Sequence, residues 1–318
     1  MSWFLLMPFA SSILFVFAMM LVKRASDRGT SPLTGTILAN VWLAMGWGIA
    51  AVIRWQIVGP AVWGQASLVA LMFVLGQVFT YLAFQLGDVS VATPIFGVKI
   101  LMVALLNSVV SAAPLTQQIW IGAVLATLGV ALVQLRPRLR TQTTSGQPVG
   151  ASSPDSSDAP PPHDRGRILL TIGMVLIATF CLSCFDLMLQ TWGTRQDTAA
   201  FLSAVFIFTA LLSVVFFPWV DRPRRLRQSG AMKWIVAGTM LMAVQALGMS
   251  ISLSAFGHAA QINIVYALRG LWGVILTWLL ARHLGGNEAT LGSRTMQLRL
   301  AGAVLLMAAV VIALSGEG

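Results

Sequence analysis

Apolar runs close to the roughly 20 residues needed to cross a hydrocarbon core recur from one end of this chain to the other, separated by short polar breaks. Ten runs are readable, at 3–22, 33–53, 62–84, 89–112, 118–135, 168–189, 199–220, 232–256, 259–281 and 298–314. In hydrocarbon every backbone N–H and C=O must find its partner inside the chain, so each run predicts a helix. The pattern stops once. Between 136 and 167 the stretch TQTTSGQPVGASSPDSSDAPPPHDRG is rich in Ser, Pro, Gly and Asp and holds no aromatic residue, the composition of a disordered linker. It separates a first five-helix unit, 1–135, from a second, 168–318. Five is odd, so the second unit enters the membrane from the side opposite to the first, giving two inverted repeats.

Composition turns this pattern into a class. Hydrophobic residues make up 57% of the 318 and charged residues 9%, with a mean hydropathy of +0.83. The expectation is an all-α integral membrane protein rather than a domain with a polar surface. The net charge of +10 would point to nucleic acid in a water-soluble chain. Here the cations sit between spans and orient them, so no nucleic-acid partner is expected and the lipid bilayer is. Loops after odd-numbered spans hold 16 of the 20 cations, loops after even-numbered spans hold Arg54 and Arg195, and two lie within spans. The positive-inside rule then places the linker in the cytoplasm and both termini outside it, in a multi-pass protein of a prokaryotic cell membrane. The start, MSWFLLMPF, lacks a basic n-region, so the first run is expected to stay as a helix. Cys181 and Cys184, one turn apart in the sixth run, are read as small packing residues.

The two buried cations carry the chemistry. Lys99 stands in GDVSVATPIFGVKILMVALL and Arg269 in GHAAQINIVYALRGLWGVIL. Each follows a glycine, Gly87 or Gly257, by twelve residues, so one shift of 170 superimposes them and also sets Phe96 on Tyr266. A charge near the bilayer centre costs at least about 2.5–3.5 kcal/mol, and two at matching places indicate a duplicated binding site. Phe96, Lys99 and Met102 share one helical stripe, as do Tyr266, Arg269 and Trp272. A cation beside a ring suits an organic anion with an apolar or aromatic part. Asp186, in CLSCFDLMLQ, is the one acid well inside an apolar run. Three roles stay open for it: ion partner of a cation, proton-coupling carboxylate, or ligand for a substrate amine. Gln77, Gln245, Asn107 and Asn263 are further polar candidates for a central cavity, and Pro94 is placed to start or kink a helical segment. The three histidines have no metal-ligand spacing, and no phosphate loop or nucleophile motif occurs. No catalytic residue, metal or cofactor is therefore expected.

Ten spans as five plus five resemble the drug/metabolite transporter superfamily, in its EamA-like branch. The stretches that carry the likeness are YLAFQLGDVSVATPIFGVKILMVALL with WIGAVLATLGVALV, and SAFGHAAQINIVYALRGLWGVILTWLL with LAGAVLLMAAVVIAL. The resemblance implies a carrier that alternates access to a central cavity. In the similar plastid phosphate-sugar translocators, basic residues on the fourth and ninth helices hold substrate phosphate, positions that Lys99 and Arg269 match. The family usually keeps its termini in the cytoplasm, against the loop count above, and its acidic GE turn after the fourth helix is replaced here by SAAPLTQQ.

Together these readings give a secondary transporter or exchanger of a small anionic or zwitterionic solute. Lys99, Arg269, Phe96, Tyr266, Trp272 and Asn263 are its expected substrate ligands and Asp186 its coupling or gating carboxylate, with a proton as candidate co-substrate and a homodimer left open. The alternative is an exporter of amino acids or amphipathic compounds in which Lys99, Arg269 and Asp186 form a rearranging charge network. A retinal-type photoreceptor, with Lys99 as Schiff base, is disfavoured by ten spans and by an arginine at the matching place.

Overall fold

The computed structural model describes residues 3–54, 59–86, 89–110, 115–134, 162–284 and 293–315. Among them there is no strand, and ten helical stretches are long and apolar enough to cross a membrane. In chain order the helices are α1 (Leu6–Ser26), α2 (Pro32–Arg54), α3 (Pro60–Leu86), α4 (Val89–Ile95), α5 (Val98–Val110), α6 (Gln117–Gln134), α7 (Pro162–Met188), α8 (Thr198–Ser213), α9 (Pro223–Gln228), α10 (Met232–Phe256), α11 (Ala259–Tyr266), α12 (Arg269–Leu284) and α13 (Ser293–Ser315). Helices α4 with α5, and α11 with α12, make up the fourth and ninth spans, while α9 is a short basic helix between the seventh and eighth.

Four span ends depart from the sequence reading. Helix α1 runs on through Lys23 and Arg24 to Ser26. Both cations complement the negative C-terminal end of the helix and can extend their charged heads to the membrane surface. Helix α7 opens at Pro162, inside the expected linker, at the first helical position that proline tolerates because its missing N–H has no partner there anyway. The remainder of that linker lies outside the described residues. The seventh span tightens into a 3₁₀ turn over Val214–Trp219 containing Pro218, and the sixth ends in a π turn at Leu189–Gly193.

Apolar side chains that remain exposed, such as Val109, Val52 and Ile53, belong to the lipid-facing surface of such a bundle. Between helices, small residues set the spacing. The fifth and tenth spans, α6 and α13, pack so closely that a Cβ on Gly302 would stand 2.7 Å from the Gly129 carbonyl oxygen. A Cβ on Gly122 would stand 3.0 Å from that of Ala309. Without a hydrophobic driving force in lipid, close van der Waals approach of this kind is what holds helices together. Helix α1 packs on α10, α7 on α3, and α8 on both α2 and α3. Where α5, α7 and α11 meet, the buried Asp186 and Asn263 join the part-exposed Lys99.

Candidate functional site

The fourth and ninth spans are each interrupted. Helix α4 ends at Ile95, Phe96 and Gly97 form a turn, and α5 begins at Val98. Pro94 lacks the N–H that would bond the carbonyl four residues earlier and so weakens α4 itself, and the turn that follows is a 3₁₀ step in which Gly97 N–H donates to the Pro94 carbonyl at 3.1 Å. In the ninth span the turn is Ala267–Leu268 with no proline. There Leu268 N–H donates to Val265 O at 3.1 Å and Gly270 N–H to Ala267 O at 3.0 Å, a local 3₁₀ tightening. Each break places a cation at a new helix N-terminus: Lys99 is the second residue of α5 and Arg269 the first of α12. The positive dipole end of a half-helix and a side-chain cation thus coincide twice near the middle of a span.

The two cations have different surroundings. Lys99 Nζ lies 2.7 Å from Asp186 Oδ2 on α7, an ion pair in which the lysine side chain is 17% exposed and the carboxylate 4%. Asn263 on α11 donates its Nδ2–H to the same oxygen at 2.8 Å. Lys99, Asp186 and Asn263 therefore form one unit spanning α5, α7 and α11, and of the three roles left open for Asp186 this geometry displays ion pairing. Arg269 has no carboxylate within ion-pair distance among the described residues. Its guanidinium carbon lies instead 4.6 Å from the Tyr266 ring centre and 5.0 Å from that of Phe15 on α1. The Tyr266 hydroxyl donates to Gln245 Oε1 on α10 at 2.8 Å, which fixes the ring that Arg269 covers.

Trp272, one turn beyond Arg269, meets Phe9 of α1 edge-on at 5.6 Å, and its indole N–H is buried without a hydrogen-bond partner. A buried unpartnered donor one turn from a guanidinium with no acid partner among the described residues is the pair of groups an anion would satisfy. Asn263, Tyr266, Arg269 and Trp272 thus lie on one side of the ninth span. Phe96 is placed elsewhere: it stacks on Phe84 at 5.5 Å and packs with Ala83, Ala92 and Val175. The shared stripe of Phe96 and Lys99 is broken by the turn between them.

Two other polar groups brace the bundle. Gln190 donates to Asn107 Oδ1 at 2.9 Å and accepts from Ala259 N–H at 2.7 Å, tying the π turn of the sixth span to α5 and to the start of α11. Asn40 and Gln77 exchange amide hydrogen bonds at 2.8 and 3.0 Å, and Asn40 also reaches Ser213. Phe9 and Phe15 did not stand out in the sequence, although a signal was there. The shift of 170 that aligns Lys99 with Arg269 also aligns Phe15 with Phe185 and Val16 with Asp186. The position matching the acid is valine, in accord with an Arg269 that lacks the carboxylate Lys99 has.

No protein-family model and no curated protein sequence matches the chain. A protein chain solved by crystallography aligns over 98% of this chain and 96% of its own length, with a TM-score of 0.65 and 13% identity. At that identity the likeness is one of fold.

Proposed function

We propose that this protein is a secondary carrier or exchanger of a small organic anion or zwitterion, working by alternating access between two inverted five-helix repeats, in the manner of the EamA-like drug/metabolite transporters. The observation that carries the proposal is Arg269: an arginine within a membrane span, at a half-helix N-terminus, flanked by two aromatic rings and lacking the carboxylate that neutralises Lys99. Such a group is costly in a membrane unless a ligand or water compensates it. Arg269 is the principal anion ligand, the Trp272 N–H a second donor, and Tyr266 and Phe15 the walls for an apolar or ring portion. Lys99 reaches the substrate only when Asp186 releases it, which makes Asp186 the coupling carboxylate.

The helix contacts support the repeat. Exchanging the first five spans with the second five turns the α1–α10 contact into α7–α3, α2–α10 into α8–α3, and α1 with α11 and α12 into α7 with α4 and α5. Each member of these pairs is present, and α2–α8 and α6–α13 map onto themselves. The buried Lys99–Asp186 pair favours a second reading, the exporter of amino acids or amphipathic compounds whose charge network switches between states.

Uptake into proteoliposomes, with organic phosphates, carboxylates, amino acids and cationic drugs offered in turn, separates these readings. The expected result is uptake of an anion that is lost in Arg269→Ala. Arg269→Lys should retain it with apparent affinity about tenfold weaker, a difference of about 1.4 kcal/mol, since a point charge replaces a two-pronged donor. Uptake confined to cations, or unchanged in Arg269→Ala, would sink the anion-carrier reading.

A further inference from the structure

A cleft of about 450 Å³ runs along one side of α1. Val16, Met19, Met20, Lys23 and Ser26 line it from that helix, and Ile235 of α10 closes its back. The α1 residues recur at three- and four-residue intervals, so the cleft follows one stripe for about 15 Å by helical rise. That stripe, in which Met19 is itself 42% exposed, lies apart from the exposed Leu6, Ala10 and Phe17 of α1. It continues the side on which Phe9 and Phe15 meet Trp272 and Arg269. The cleft's inner end, Val16, is next in sequence to Phe15, whose ring lies under the Arg269 guanidinium. Its outer end carries Lys23 and the loop hydroxyl residues Thr30 and Ser31, beside the cluster in which Arg24, Arg28 and Lys233 surround the Trp234 ring at 4.7–5.4 Å.

At the other end of the bundle the described residues are closely packed. All eight residues of α11 are buried, none more than 7% exposed. The Gln190 bridge ties the start of α11 to the sixth and fourth spans. Phe4 stacks on both Phe256 and His258 at 5.5 Å, over the sharp turn where Gly257 and His258 take positive φ. In α4, which the shift of 170 sets on α11, Ala92 is buried whereas Val91, Thr93, Pro94 and Ile95 are part-exposed.

From this asymmetry we infer that the α1 cleft is the open vestibule through which a small anion reaches Arg269 from the basic end, with Lys23 as the residue that sets its charge preference, while α11 closes the opposite end. The inference rests on the anion-carrier reading and adds to it a route, a direction of opening and a selectivity residue. An apolar wall with the exposed Lys23 at its mouth and Arg24, Arg28 and Lys233 beside it admits an organic anion and disfavours a cation, because the summed positive potential there attracts one and repels the other.

Cysteine chemistry on the full chain in lipid nanodiscs tests it without a known substrate. In a background with Cys181 and Cys184 replaced by alanine, Met20→Cys should react with water-soluble methanethiosulfonates, the sulfonate-bearing reagent faster than the trimethylammonium one. Adding Lys23→Gln should lower that rate ratio about fivefold or more, as Lys23 lies one helical turn from the thiol. Met19→Cys on the same wall serves as the second reporter should Met20→Cys fail to insert. Ala260→Cys in α11 should resist both reagents. The inference is overturned if both wall cysteines resist both reagents or are reached only by a membrane-soluble maleimide. It is equally overturned if the rate ratio ignores Lys23, or if Ala260→Cys labels as fast as the wall. Labelling needs no transport, so these results judge the route alone, whereas failure of the carrier reading shows as uptake that does not depend on Arg269.

Discussion

Replacing Lys99 by alanine and replacing Arg269 by alanine are expected to have different consequences, because one cation is paired inside the protein and the other is not. Lys99→Ala leaves Asp186, only 4% exposed, facing Asn263 without its counter-charge. An uncompensated buried charge costs about 3–5 kcal/mol, so the purified variant should unfold at clearly lower temperature. Adding Asp186→Asn removes the stranded charge and should return most of that loss. A Lys99→Ala protein as heat-stable as the parent would show that the pair is not a structural contact. Arg269→Ala strands no acid among the described residues and gives up two ring contacts worth about 0.5–2 kcal/mol each. Its melting should shift less than that of Lys99→Ala while its effect on anion uptake is total. Tyr266→Phe tests the bracing from Gln245: it keeps the ring under Arg269 and removes the 2.8 Å hydrogen bond. The expected cost is about 1–3 kcal/mol from the unpaired buried amide, read by thermal unfolding.

Among elements, the α6–α13 contact and the two broken spans differ in how their backbones are used. Gly129 and Gly302 let two backbones meet where no side chain fits, since a Cβ on Gly302 would be 2.7 Å from one backbone oxygen and 2.8 Å from the Val133 nitrogen. Backbone cannot yield as a flexible side chain can, so Gly302→Ala should force the helices apart and lower thermal stability by about 1–3 kcal/mol, the usual cost of overpacking. An unchanged melting curve would mean that the two helices do not approach this closely in the membrane. The breaks at Phe96–Gly97 and Ala267–Leu268 act differently, freeing a positive helix end near the middle of each span. Gly97 itself has little room, with Val130 of α6 3.1 Å from where a Cβ would sit. The fourth span can therefore turn there and still lie against α6.

For the whole molecule, orientation follows from charge counted over loops rather than from any single contact. A bias of 16 cations to 2 predicts that an impermeant thiol reagent applied to intact cells modifies a cysteine placed at Ser2 and spares one at Ser153. The reverse pattern would mean that the usual orientation of the family the chain resembles overrides the loop count. On that prediction the basic end bearing Lys23 would face the cytoplasm and the α11 end would face outward.

The number and placement of the spans were legible in the sequence because they rest on local physics: hydrocarbon thickness fixes the run length, and the lack of water forces each run to be a helix. The ten runs read from the sequence agree with the ten membrane-length helices to within a few residues, apart from the ends of α1 and of α7. Lys99, Arg269 and Asp186 were equally legible as charges out of place. Their relation to one another was not. That Asp186 joins Lys99 and leaves Arg269 to Phe15 and Tyr266 depends on which spans become neighbours, and helix packing in lipid is set by small residues and close approach between distant segments. Pro94 marked only a weakened helix just ahead of the break at Phe96–Gly97, whereas the matching break at Ala267–Leu268 has no such residue near it, and Phe9 and Phe15 looked like any other apolar side chains of a span. Hydropathy records how much of a side chain avoids water; only the folded bundle decides which neighbour it meets.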